Sequence, residues 1–108
     1  MGMPAGPKAD ATLADWQAYI QQKIEERGFA DETTQQKFVL LVEEVGELAK
    51  ALRPLEGIKT SDDSDKLDVK HEAADVFWLL CCICNGLGID LDEAIRSKDQ
   101  KNQKRIWK

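Results

Sequence analysis

Five carboxylates stand at spacings that allow them to act together: Glu43, Glu44 and Glu47 in FVLLVEEVGELAKAL (38–52), and Glu72 and Asp75 in EAAD (72–75). Helical residues three apart lie about 60° apart and one turn removed, so Glu44 with Glu47, and Glu72 with Asp75, each converge on one point. Four carboxylates meeting inside a helical bundle repel one another unless cations neutralise them. All-oxygen ligation without His or Cys suits a hard ion, Mg²⁺ or alternatively Mn²⁺, and Mg²⁺ leaves places for water and phosphate oxygens. The expected site is half of a metal centre that a phosphorylated ligand completes. Against it stands a bland reading in which the glutamates are surface charges pairing with Lys37 and Lys50. Asp75 weighs against that reading, because residues 73–84, AADVFWLLCCIC, are apolar around the whole helical circumference apart from it. Burying an unpaired carboxylate costs several kcal/mol, more than the roughly 1.5–3 kcal/mol that Leu79 or Ile83 would return. A di-iron carboxylate bundle would want Glu-x-x-His pairs, whereas the lone His71 precedes Glu72.

The elements that must position these groups are helices. No period-2 alternation and no Asn-Gly turn marks a strand. Thr12 and Asp15 have N-cap and N3 spacing for a first helix, with Leu13, Trp16, Ile20 and Ile24 on its apolar face, Tyr19 beside them and Gly28 as its stop. Residues 31–34 supply N-cap candidates for a second helix that Pro54 ends. Its apolar stripe, Phe38, Leu41, Val42, Val45, Leu48, Ala49 and Leu52, is expected to be core, while Leu40 and Ala51 share the carboxylate side. Contact on both sides is therefore expected. Residues 54–65 read as a mobile polar loop joining two antiparallel helices, the second spanning about 66–85 and buried on nearly all sides. Gly86 and Gly88 close it, and Asp90 with Glu93 opens a fourth. The inward face of that fourth helix runs from Leu91, Ala94 and Ile95 on through Lys98, Asn102 and Arg105, where apolar residues would be expected.

The chain has 108 residues, 43% hydrophobic, and a net charge of -5. That is enough for one core but short for enclosing a site alone, so oligomerisation is expected. The acidic balance argues against a nucleic-acid polymer as ligand. Cys81, Cys82 and Cys84, spread over different helix faces, read as buried free thiols of a reducing compartment. No segment reads as a signal peptide or membrane anchor, so a cytoplasmic location without a membrane partner is expected. Residues 1–10 read as a disordered tail and 11–108 as the helical domain.

The pattern Glu43-Glu44-Val45-Gly46-Glu47-Leu48, then Glu72-Ala73-Ala74-Asp75 after the intervening residues 48–71 counted from Glu47, resembles the EExxE…ExxD signature of the MazG-type all-α nucleoside triphosphate pyrophosphohydrolases. The ending Lys98-x-x-x-Asn102-x-x-Arg105 is similar too. The resemblance implies an all-α bundle of four to five helices completed by oligomerisation, as a homodimer or a homotetramer built as a dimer of dimers. It implies hydrolysis of (deoxy)nucleoside triphosphates to monophosphate and pyrophosphate, in nucleotide-pool house-cleaning. Carried over, Glu44, Glu47, Glu72 and Asp75 hold Mg²⁺, Glu43 helps activate water, and Lys98, Asn102 and Arg105 grip the phosphates. Phe29, Trp16 and Trp78 are candidates to stack on the base. The alternatives are a phosphoribosyl-ATP pyrophosphatase on a similar fold and a non-catalytic nucleotide-binding or oligomerisation module.

Overall fold

The computed structural model describes residues 6–56 and 66–105. Over these the chain is all-α, with helices α1 (Leu13–Glu26), α2 (Thr34–Leu52), α3 (Lys66–Gly86) and α4 (Leu91–Gln103), and a 3₁₀ turn at Pro54–Glu56. The expected polar loop falls mostly outside the described residues, as do residues 1–5 of the expected tail. Residues 6–10 of that tail lie against α1: the Gly6 N–H donates to Tyr19 Oη at 3.1 Å, and Lys8 Nζ approaches Asp15 Oδ2 at 3.9 Å.

Local chemistry sets the helix ends. Thr12 Oγ1 accepts from the Asp15 N–H at 3.1 Å and Asp15 Oδ2 accepts from the Thr12 N–H at 3.0 Å, a reciprocal capping box at the head of α1. Thr33 and Gln36 repeat it for α2. Gly28 (φ 80°) and Gly88 (φ 70°) take the left-handed conformation at the two turns that follow α1 and α3. Asp90 Oδ1 accepts from the Asp92 and Glu93 N–H groups and starts α4.

The principal contact is the antiparallel pair α2 and α3, across which α1 lays Ile20 and Ile24 against Cys81 and Cys82 of α3. Phe77, Trp78 and Leu91 pack around that centre. The three cysteines are free and buried as expected, and burial pushes the Cys81 thiol up to about 11. α4 leaves α3 at a bend of 96°. One side chain holds that corner. Gln17 of α1, buried, donates from Nε2 to Asn85 Oδ1 (3.0 Å) and to the Ile89 carbonyl (2.9 Å), while its Oε1 accepts from the Leu91 N–H at 2.9 Å. The Asn85 amide donates back to the Gln17 carbonyl at 2.9 Å. Every polar atom of the Gln17 amide oxygen and nitrogen is thus engaged at the end of α3 and the start of α4.

Two expectations about burial are overturned. The apolar stripe of α2 is not core within the chain: Phe38 is 57% exposed, Val42 54% and Val45 48%, with Leu52 also exposed. The covered side of α2 carries Lys37, Leu40, Glu44 and Ala51 instead. Among the described residues the principal partner of α2 is α3, and the two can meet on only one side, which is the side where the carboxylates lie. Likewise α3 is not enclosed all round. Cys81, Cys82 and Cys84 are buried, but Ala73, Ala74, Asp75 and Leu80 are exposed, because no other element of the described chain covers that flank.

Candidate metal and phosphate site

Three of the five carboxylates meet where α2 crosses the first half of α3. Ligand oxygens of Glu44, Glu72 and Asp75 all lie within 4.8 Å of one another. The antiparallel register brings this about: Lys37 and Leu40 lie near Cys82 and Leu79, so one turn further along α2 Glu44 arrives opposite Asp75 and Glu72. Burial falls differently from expectation. Asp75 is exposed, whereas Glu44 and Glu72 are half-buried.

The electrostatic strain accordingly sits on Glu44. Desolvation first, then the adjoining Glu72 carboxylate and the charges of Asp75, Glu72 and Glu47, push the Glu44 carboxyl from its ordinary value of 4.5 up to about 7. Glu72 Oε2 is shielded from solvent and has no hydrogen-bond partner. A shielded carboxylate oxygen with nothing to accept from is costly. A hard divalent cation satisfies each of these observations at once: it neutralises three clustered charges, gives Glu72 Oε2 a partner and needs only oxygen donors. The residues present therefore fit such an ion.

The other expected site residues are distributed around this centre. Glu47 is exposed one turn beyond Glu44 and adds to the field on it. Glu43 points into a different shallow groove, with Gln36, Val39 and Leu40, and is not part of the cluster. The 100° step from Glu44 to Glu43 carries it off the α3 side. Lys98 and Asn102 line one groove on α4 with Ile95, Arg96 and Asp99. Asn102 Oδ1 is shielded from solvent without a partner, whereas Lys98 and Arg105 are exposed. The groove that Lys98 and Asn102 line on α4 contains none of the clustered carboxylates.

The aromatic candidates separate. Phe29 and Trp78 border one cavity of about 210 Å³ between the α1–α2 turn and the middle of α3. Trp16 lies elsewhere, edge-on to Tyr19 at 5.9 Å and close over Gly6. Two inward polar residues were missed, Gln17 and Lys37. The signal for Gln17 was present in the spacing, since 17, 20 and 24 share a face with Ile20 and Ile24; Lys37 likewise shares a face with Leu40, Glu44 and Ala51.

Comparison with known proteins bears on this geometry. Residues 32–107 match the family model described as the MazG nucleotide pyrophosphohydrolase domain, a span that contains all five carboxylates and Lys98, Asn102 and Arg105. The uncharacterised protein YvdC of Bacillus subtilis (strain 168) is 27% identical over 101 residues, covering 87% of this chain and 95% of its own. Among solved structures, YPJD of Bacillus subtilis, a candidate pyrophosphatase, superposes with a TM-score of 0.76 at 29% identity, over 87% of this chain and 97% of that one. A Bacillus-conserved MazG protein, a nucleotide pyrophosphohydrolase, shares the fold with a TM-score of 0.76 at 24% identity, over 92% and 97%.

Proposed function

Because the chain belongs to the MazG nucleotide pyrophosphohydrolase family, we propose that it hydrolyses (deoxy)nucleoside triphosphates between the α- and β-phosphates, with Mg²⁺ held at the carboxylate cluster. The observation that carries this reading is the meeting of Glu44, Glu72 and Asp75 oxygens within 4.8 Å around a shielded, unpartnered Glu72 Oε2. Glu44, Glu72 and Asp75 would hold the ion, with Glu47 as a further donor one turn away. When bound, the ion would screen phosphate oxygens and lower the pKa of an attacking water.

The rest falls to the chain's own side chains. Glu72, with its shielded oxygen, fixes the position of the site, and Glu44 gives up the proton that crowding otherwise makes it keep near neutrality. Lys98, the Asn102 amide and Arg105 supply the donors for the pyrophosphate end. Glu43, off the cluster, is left to orient water or solvent at the rim rather than to touch the ion.

The exposed α2 stripe completes the reading. A second copy of the chain covers Phe38, Val42, Val45 and Leu52, giving at least a homodimer in which α2 is contacted on both sides. Acting on free nucleotides in the cytoplasm, the enzyme would keep unwanted triphosphates out of the pool.

The test is pyrophosphate release from a panel of canonical and modified triphosphates with and without Mg²⁺, products resolved as mono- or diphosphate. Monophosphate and pyrophosphate appearing only with the cation is the expected result. Release of inorganic phosphate and diphosphate, or no turnover on the whole panel, would sink the proposal.

A further inference from the structure

The bend between α3 and α4 falls where the backbone's own hydrogen bonds change over. The bonds that finish α3 reach Ile89, whose N–H donates to the Cys84 carbonyl at 2.8 Å, and those of α4 begin with the Ala94 N–H on the Asp90 carbonyl at 2.9 Å. Gly86 and Gly88 lie in this connection, and glycine restricts the backbone least. The Ile89 carbonyl and the Leu91 N–H stand between the two sets of bonds, and Gln17 takes both, at 2.9 Å each. Its Nε2 also donates to Asn85 Oδ1 in the last turn of α3, and Asn85 Nδ2 donates back to the Gln17 carbonyl. One amide on α1 thus spans the bend, bonded to the end of α3, to the turn and to the head of α4. Its base is fixed: Gln17 is 7% exposed, and Ile20 and Ile24 of the same helix are set against Cys81 and Cys82.

Beyond its first turn, α4 rests on little else among the described residues. None of its residues is buried. From Ile95 to Arg105 only Asn102 is half-covered, in a groove lined by α4's own Ile95, Arg96, Lys98 and Asp99. The helix is therefore a lever pivoting near Leu91. Asn102 stands about 16 Å along the axis from that pivot, so a tilt of about 10° at the corner carries it about 3 Å. A displacement of that size exceeds the roughly 0.5 Å within which a binding constellation must be held. A misplacement of about 1 Å already costs on the order of a hundredfold in rate at a catalytic site.

We propose that Gln17 is a positioning residue for phosphate binding: by clamping Asn85, Ile89 and Leu91 together, it sets the direction in which α4 carries Lys98, Asn102 and Arg105. The inference rests on the hydrolase reading above, from which it takes those three side chains as the phosphate donors. Gln17 itself touches no substrate. Its influence runs through the phosphates and is blind to the base, and it leaves the carboxylates of α2 and α3 in place.

The experiment uses the full chain, well below its melting temperature, as wild type, Gln17→Leu and Ile20→Ala. The last weakens the α1–α3 core without touching the corner. KM and kcat are measured for dGTP, dUTP and dATP with Mg²⁺, Kd for inorganic pyrophosphate with Mg²⁺ by calorimetry, and the melting shift produced by Mg²⁺ alone. Gln17→Leu should raise KM for every triphosphate, and Kd for pyrophosphate, by about tenfold or more. It should keep the Mg²⁺ melting shift, and Ile20→Ala should keep both constants near wild type. Wild-type constants in a folded Gln17→Leu protein overturn the proposal. So does a rise matched by Ile20→Ala, or one accompanied by loss of the Mg²⁺ shift, since either marks a general loss of structure. If Gln17→Leu does not fold, Asn85→Ala decides: it removes two of the clamp's bonds and should raise both constants by about threefold or more, and unchanged constants overturn the clamp. If wild type turns over no triphosphate, the hydrolase reading fails. Pyrophosphate affinity that drops in Gln17→Leu then upholds the clamp; affinity that does not drop, or a wild type that binds no pyrophosphate, ends it.

Discussion

Replacing Asp75 with Asn should stabilise the cation-free protein and at the same time remove its stabilisation by Mg²⁺. The three carboxylates lie within 4.8 Å of one another. At that separation a pair of unit charges repels by about 1 kcal/mol when screened as in water and about 3.5 kcal/mol at an effective dielectric of about 20. Asp75 is exposed, so the lower part of that range applies to it. Relief of its repulsion with Glu44 and Glu72 therefore raises the cation-free melting temperature by several degrees, at about 4–8 °C per kcal/mol for a domain of this size. Glu44 gives the pH dependence. Its folded-state carboxyl is raised from 4.5 to about 7, so the native state keeps a proton that the unfolded chain has lost. Stability is fullest at or below pH 4.5 and declines as pH rises to about 7, after which it levels off. Asp75→Asn, by removing one cause of that shift, flattens the decline. Thermal melts at pH 5 and pH 8, with and without Mg²⁺ and against Na⁺ at matched ionic strength, read all of this. Wild type should melt lower at pH 8 without cation and recover with Mg²⁺, by RT ln(1 + [Mg²⁺]/Kd), about 2.7 kcal/mol at a hundredfold excess over Kd. Asp75→Asn should start higher and respond weakly. A variant that melts lower than wild type without cation and keeps the full Mg²⁺ response would contradict both the repulsion at Asp75 and its part in holding the ion.

Other outcomes follow from the same structure. In the proposed homodimer Val42→Asp would place a charge twice in the two-fold interface, where desolvating each ion costs several kcal/mol, so sedimentation should show a dimer for wild type and a monomer for the variant; a dimer unchanged in Val42→Asp would remove the α2 stripe from the interface. Gln17→Leu strips the partners from the Ile89 carbonyl, the Leu91 N–H and Asn85, and should cost about 2–4 kcal/mol in denaturant unfolding; a loss below about 0.5 kcal/mol would contradict its role at the α3–α4 corner. Cys81, fully enclosed with its thiol pushed up to about 11, should react with a thiol reagent only at the rate of unfolding, and rapid labelling of the native protein at pH 8 would contradict that burial.

The helix ends were legible because caps are local: Thr12 with Asp15, Gly28, and Asp90 with its following N–H groups each act within a few residues. The pairing of Glu44 with Glu72 and Asp75 was legible from two i, i+3 spacings on helices forced antiparallel. What periodicity leaves open is which neighbour a face receives. The Phe38, Val42, Val45 stripe is the more apolar side of α2, yet inside the chain the side carrying Lys37, Leu40 and Glu44 meets α3. For the same reason the apolar surroundings of Asp75 in the sequence did not bury it: its flank of α3 is one that the described chain leaves uncovered. The cost of crowded charge was real but belonged to Glu44, one helix away. Gln17 and Lys37 were overlooked because a single polar residue within an apolar face reads as an interruption until a partner, or a cavity, is seen beside it.

Glu44, Glu72 and Asp75 form the proposed catalytic centre. Its most direct measurement is pyrophosphate release by Glu72→Gln, with helicity and melting temperature followed on the same sample. Glu72→Gln should give a folded protein, at least as stable as wild type without cation, whose Mg²⁺-dependent turnover falls by about a hundredfold or more. A folded Glu72→Gln protein that turns over triphosphates at the wild-type rate would contradict it.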